Sequence, residues 1–217
     1  MSHSNDGTGP HPSGIAGTID GGLQPCWLCG QSVGPRALFC HGCGAVLPPR
    51  PLDHFARLGV EPRFDLDLTV LGRQLAGFTR ALDPARFAAR GARQQANARA
   101  QADALTQAYA VLHDPLQRAH YLLLRLGADS LPPDPDRDPD TAALTAALAR
   151  ATDAAAVDQV ATDTTRLTEE GIRALASAFR RGMTGDAARL LARLEALEAI
   201  AAAARDRRAD IPLPPSP

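Results

Sequence analysis

The chain contains no lysine: all 23 of its basic residues are arginine, set against 24 acidic ones. A composition biased toward Arg and Ala accounts for the absence, yet the absence still excludes chemistry. A Walker-type phosphate loop, a lysine Schiff base and a pyridoxal-phosphate site each need a lysine that this sequence does not supply. Aromatic residues make up only 4% of the chain and runs of β-branched residues are missing, so little is available to build strands. No stretch near the N-terminus is apolar for more than a few residues, so neither a signal peptide nor a membrane span is expected. Residues 1–25 also lack arginine, which argues against an amphipathic presequence. The near balance of charge recruits the chain to neither nucleic acid nor membrane. There is no G-x-S-x-G, no H-E-x-x-H and no glycine-rich phosphate loop after a strand. His54, His113 and His120 stand without an evident Ser, Cys or carboxylate constellation and read as surface or boundary residues. The expectation is a cytoplasmic protein that is not an enzyme.

What is abundant is Ala, Leu and Arg, the residues that favour helix. Leu71, Leu75, Phe78 and Leu82 recur at helical spacing, as do Ala98, Ala102, Leu105, Tyr109 and Leu112. The pattern predicts an all-α protein. A first helical region over 51–127 reads as four helices: a short one ending at Gly59, one from Asp67 to Leu82, a long one from Ala89 to His113, and one opening at Asp114-Pro115. A Pro-rich, acidic linker over 128–139 separates it from a second helical region over 140–206. There Val157, Val160, Thr164, Leu167, Gly171, Ala174 and Ala178 keep helical spacing, and Leu190, Leu194, Leu197 and Ala201 mark a last helix. A three-helix bundle with close contacts between small residues is the economical arrangement. Residues 1–25 are too rich in Gly, Ser, Pro and His to order themselves, and both they and residues 207–217, which end in "IPLPPSP", read as disordered tails.

Between the first tail and the helices, residues 26–47 carry "CWLCG" and "CHGCG", a C-x2-C-x10-C-x2-C spacing over Cys26, Cys29, Cys40 and Cys43. Each C-x-x-C turn can present two sulphurs to one ion, and the glycine after each pair permits a positive-φ turn. Two disulfides or four free thiols are the alternatives. Tetrahedral zinc is the reading the paired knuckles favour. Four thiolates leave no open coordination position, so that zinc would be structural. Arg36 is the only basic residue between the first and last of these cysteines, too little for a surface that tracks phosphates.

Three stretches then carry a resemblance: "DHFARLGV" (53–60), "ALTQAYAVLHDPLQRAHYLLLRLG" (104–127) and the helix–connector–helix between them. They resemble a J-domain, and more narrowly that of the HscB-type co-chaperones of iron–sulphur cluster assembly. The four-cysteine module ahead of it, the Pro-rich linker and the C-terminal bundle also fit that family. The resemblance implies a J-domain that stimulates the ATPase of a DnaK-type chaperone. It also implies a C-terminal bundle that binds a cluster scaffold protein, through residues that stay unassigned here. The family's stimulating element is a His-Pro-Asp triplet in the connector. This sequence has Asp83-Pro84-Ala85, in which only Pro84 matches. The resemblance further implies a basic chaperone-facing surface on the second helix, to which Arg73 and Arg80 correspond, with Asp83 and Pro84 at its end. Leu144 and Leu148 read as bundle core. Two alternatives stand beside a working co-chaperone: an adaptor of the same fold that does not stimulate ATP turnover, and a zinc-ribbon protein associated with nucleic acid.

Overall fold

Six segments of this chain begin with the same local device. Asp53, Asp67, Asp83, Asp114, Asp138 and Asp153 each accept a hydrogen bond from a backbone N–H two or three residues ahead, satisfying donors that a helix start leaves open. Three of them are followed by proline, Pro84, Pro115 and Pro139, whose fixed φ suits the first helical position. Such a cap stabilises a helix by about 1 kcal/mol.

The computed structural model describes residues 22–132 and 138–211. A short antiparallel hairpin pairs β1 (Gln24–Pro25) with β2 (Ser32–Val33). The helices follow: α1 (His54–Leu58), α2 (Leu68–Ala81), α3 (Ala92–His113), α4 (Pro115–Arg125), α5 (Pro139–Arg150), α6 (Ala154–Arg180) and α7 (Thr184–Asp210). The molecule is therefore helical, with its only sheet among the described residues in the cysteine module. The expectations for most of the N-terminal tail, the centre of the linker and the final "LPPSP" with the residue before it fall outside the described residues.

Three boundaries differ from the sequence reading. Gln24 and Pro25, assigned to the tail, are paired in the hairpin. The long third helix does not start at Ala89: residues 84–90 form a 3₁₀ turn, Gly91 takes φ +92°, and α3 begins after it. Only glycine accepts that φ at no steric cost, so the chain breaks there. The last helix runs on to Asp210 rather than stopping at 206.

The core is continuous across both helical regions. Phe55, Leu58, Leu71, Leu105, Leu112 and Leu123 join Leu167, Leu175, Leu194 and Leu197 in one buried cluster. The join is made by α4 lying against α7. Leu144 is buried in this core, and Leu148 packs on it and on a smaller cluster around Val157. Exposed ion pairs such as Arg180–Asp65 (2.7 Å) tie the same two regions but add at most about 1 kcal/mol each.

The close approach of α6 and α7 depends on Gly171. A Cβ there would stand 2.7 Å from Leu194 Cδ2 and 3.3 Å from its Cγ, and Leu194 is itself fully buried and cannot swing away. A Gly171→Val substitution is expected to force the helices apart and destabilise the protein by about 2 kcal/mol, the usual scale of overpacking. Denaturant unfolding of the two proteins side by side measures it; an unchanged midpoint would remove this contact from the account.

Candidate metal centre and connector

The two cysteine pairs are built as near copies. Gly30 and Gly44, each just after the second cysteine of a pair, adopt φ of 75° and 70°. Their amides return to Cys26 O and Cys40 O at 2.9 and 2.8 Å. The Cys26 and Cys40 amides in turn donate to Gln31 O and Ala45 O at 2.8 and 2.9 Å. The turns bring Cys26 Sγ to 3.8 Å from Cys43 Sγ and Cys29 Sγ to 3.6 Å from Cys40 Sγ, and all four sulphurs lie within 4.8 Å of one another. Zinc–sulphur bonds of about 2.3 Å place tetrahedral sulphurs about 3.8 Å apart. A disulfide needs about 2.05 Å, so the alternative of two disulfides does not fit this geometry, and all four cysteines are free. Cys26, Cys29, Cys40 and Cys43 are thus positioned to hold one metal ion.

The four sulphurs sit in unequal electrostatic surroundings. Backbone N–H groups of Cys29 and Leu28 point at the Cys26 sulphur and hold its thiol down at about 7. The Ala45 amide draws Cys43 the same way, but the neighbouring Cys29 thiol, burial, and then Cys40 and Cys26 push it up to about 12. A sulphur eased toward thiolate at Cys26 and one held back at Cys43 suit a soft divalent cation, whose charge compensates the deprotonation that its binding requires.

The module does not stand apart from the helices. The Val46 amide donates to Gln94 Oε1 at 2.7 Å, Asn97 Nδ2 donates to Val46 O at 2.9 Å, and Gln101 Nε2 donates to Leu47 O at 2.9 Å. Trp27 Nε1 also donates to Val46 O, at 2.8 Å, while its ring lies 4.1 Å beneath the Arg93 guanidinium. Sequence reasoning missed Gln94, Asn97 and Gln101. The signal was present as a polar stripe at spacings of 3 and 4, running beside the apolar stripe that begins at Ala98.

At the connector, Asp83 Oδ1 accepts from the Ala85 amide at 2.9 Å, and Pro84 opens the 3₁₀ turn. Arg73 and Arg80 are exposed on α2, and neither has an acidic partner among the described residues. An open groove of about 630 Å³ between α2 and α3 has Gly72, Leu75 and Tyr109 along it and Arg80, Asp83 and Pro84 at its end. Arg86 and Arg90, also exposed, lie just beyond the connector, the first against α2 and the second against the cysteine module. Arg86 Nη1 donates back to Arg80 O at 3.3 Å, and Arg90 Nη1 turns to Gly44 O at 3.4 Å.

The histidines need a correction. His120, which shows no Ser or carboxylate nearby in sequence, has both: Nδ1 is 2.8 Å from Ser130 Oγ and Nε2 is 2.5 Å from Glu195 Oε1. Glu195 lies 75 positions away on α7, so only the packing of α4 on α7 brings it there. Ser130 is exposed, and the arrangement serves as a polar strap across that helix contact. His54 is half-buried with its ring 4.4 Å from that of Tyr121, and burial, helped by Arg57, lowers its pKa.

No family model matches the chain. Among curated proteins, the co-chaperone protein HscB of Proteus mirabilis (strain HI4320) is 37% identical over 78 residues, which are 36% of this chain and 45% of that one. The HscB homolog of Paraburkholderia phymatum is 41% identical over 76 residues, 35% of this chain and 43% of its own. The matches thus span less than half the length of these relatives. Among solved structures, human co-chaperone HscB superposes with a TM-score of 0.76 at 23% identity, over 86% of this chain and 100% of the human one. Chaperone HscB from Vibrio cholerae gives 0.62 at 24% identity, over 74% of this chain and 100% of its own. A local sequence match and a fold shared over most of the chain together make this protein similar to the HscB co-chaperones.

Proposed function

We propose that the chain is an HscB-like co-chaperone in iron–sulphur cluster assembly, acting in the cytoplasm between a DnaK-type chaperone and a cluster scaffold protein. The observation that carries this reading is the exposed Arg73 and Arg80 face of α2 ending on the Asp83-Pro84 connector, within a fold shared with the HscB structures. Arg73, Arg80, Asp83 and Pro84 form the chaperone-facing surface, and unpaired guanidiniums there suit an acidic partner. The scaffold is received by the C-terminal helices. Among the described residues no helix is long and apolar enough to cross a membrane. Nucleic-acid binding has little to recommend it, since the formal net charge is −1.

Stimulation of the chaperone's ATPase is weak or absent in this reading. Contacts made by charged groups at such an interface contribute about 1.5–3 kcal/mol each. Ala85 has no polar atom to offer. Asp83 cannot donate a hydrogen bond as an ionised carboxylate, and its Oδ1 is already engaged by the Ala85 amide. That engagement favours the second reading, an adaptor that keeps the fold without the trigger.

The metal is zinc, held structurally by all four cysteines. One zinc per chain is expected by elemental analysis, with the thiols shielded from alkylation until a chelator is added, and Cys26→Ser is expected to abolish stoichiometric binding. Finding the four thiols freely alkylated in freshly purified protein would contradict it.

Single-turnover ATP hydrolysis by the cognate DnaK-type chaperone tests the connector. The protein at saturating concentration is expected to raise the rate little. Asp83→His combined with Ala85→Asp is expected to raise it by about tenfold or more, the equivalent of one recovered charge-assisted contact. Strong stimulation by the unaltered protein would show that Asp83 and its neighbours work in place of the usual triplet.

A further inference from the structure

The connector and the start of α3 have little local support. The 3₁₀ turn over Pro84–Arg90 has poorer hydrogen-bond geometry than an α-helix. Gly91 then breaks the chain at φ +92°, and α3 begins without a side-chain cap, unlike the six segments that start on aspartate. The first amides of α3 therefore have no side chain holding them.

Beyond the Asp83 cap and the packing of Phe87 in the helical core, what holds this stretch comes from the cysteine module. Phe39, just before Cys40, stacks on the buried Phe87 with ring centroids 6.3 Å apart. Gly44, just after Cys43, accepts from Arg90, and Trp27, just after Cys26, lies under Arg93. Val46 and Leu47 engage Gln94, Asn97 and Gln101, and Gln94 and Gln101 are only 5% and 3% exposed. Every turn that places a cysteine thus also places an atom against residues 87–101.

We propose that the metal-loaded module is a brace for residues 84–96, so that metal occupancy sets the order of the Asp83-Pro84-Ala85 connector, with Gln94 and Gln101 as the positioning residues. The cause is the size of the module. Its own core consists of Cys26, Val33, Cys40, Ala45 and Leu47, too few groups to fold it without the ion. When the ion leaves, Val46 and Leu47 lose their fixed positions, two buried glutamine amides lose their partners, and Phe87 loses Phe39. The damage stops within α3, because Ala98, Leu105, Ala108 and Leu112 stay buried in the helical core. The consequence for a chaperone rests on the co-chaperone reading above; the coupling between metal and connector does not.

Amide hydrogen exchange on the full chain, zinc-loaded and then stripped by a chelator, tests it. Exchange over 84–96 is expected to accelerate by about tenfold or more on stripping, to recover when zinc ion is returned, and to leave α6 and α7 unchanged. The Gln94→Ala/Gln101→Ala variant is expected to bind one zinc yet exchange rapidly over 84–96 with or without it. Protection of 84–96 that ignores zinc overturns the proposal. So does a loss spread equally over α6 and α7, which would make the ion a global stabiliser. No chaperone enters this measurement, so its failure leaves the co-chaperone reading standing, and a failed ATPase assay leaves the brace standing.

Discussion

Helix α3 presents two stripes to two different parts of the protein, and the rest of the molecule is arranged around that division. One stripe is apolar: Ala98, Leu105, Ala108 and Leu112 are completely buried and hold α1, α2 and α4 together. The other is polar: Gln94, Asn97 and Gln101 receive the backbone of Val46 and Leu47. A peptide group buried without a partner costs about 1–3 kcal/mol, so the backbone leaving the cysteine module could not lie here against leucines. The glutamines make the approach possible and also fix its register, since side-chain amides offer donor and acceptor at set positions. Gln101 Oε1 is left buried without a partner among the described residues, a small cost accepted at the same place.

The same economy explains why the second helical region needs no interface of its own. Because α4 packs on α7, the buried cluster runs unbroken from Phe55 to Ile200. The small residues of α6 and α7 let the two helices approach, with Gly171 opposite Leu194 as the tightest point. The polar strap through His120 and Glu195 and the exposed Arg180–Asp65 pair then orient a contact that burial already stabilises.

How much of this could be read from sequence follows from the range of each interaction. The helices were legible because their causes are local: aspartate caps at fixed offsets, prolines at first positions, and apolar residues at helical spacing. The cysteine cluster was legible because two identical knuckles leave few geometries open. The boundary at Gly91 was hidden, since a glycine amid alanines does not announce a positive φ. The docking of the module on Gln94 and Gln101 was hidden for a stronger reason: it joins positions 48 and 54 residues apart, and no local pattern encodes a partner that distant. His120 and Glu195 failed for the same cause. The expectation that Arg73, Arg80, Asp83 and Pro84 face a chaperone came from resemblance alone, and the structure adds only the exposure of Arg73, Arg80 and Asp83 and the groove beside them.

The connector also shows how a motif position can be taken over by a structural role. Asp83-Pro84 repeats the Asp-Pro start found at Asp114-Pro115 and Asp138-Pro139, and in all three the carboxylate accepts from a backbone amide ahead of it. Releasing Asp83 to meet a partner would forfeit that cap, about 1 kcal/mol. A charge-assisted contact of about 1.5–3 kcal/mol would then return only about a third to two thirds of its value. Ala85 enters the comparison only through its amide, the donor of the cap; its side chain contributes to neither side. The cap therefore discounts any outside contact of Asp83 without cancelling it, and the carboxylate has a complete structural reason to stand where it does whether or not it meets anything else.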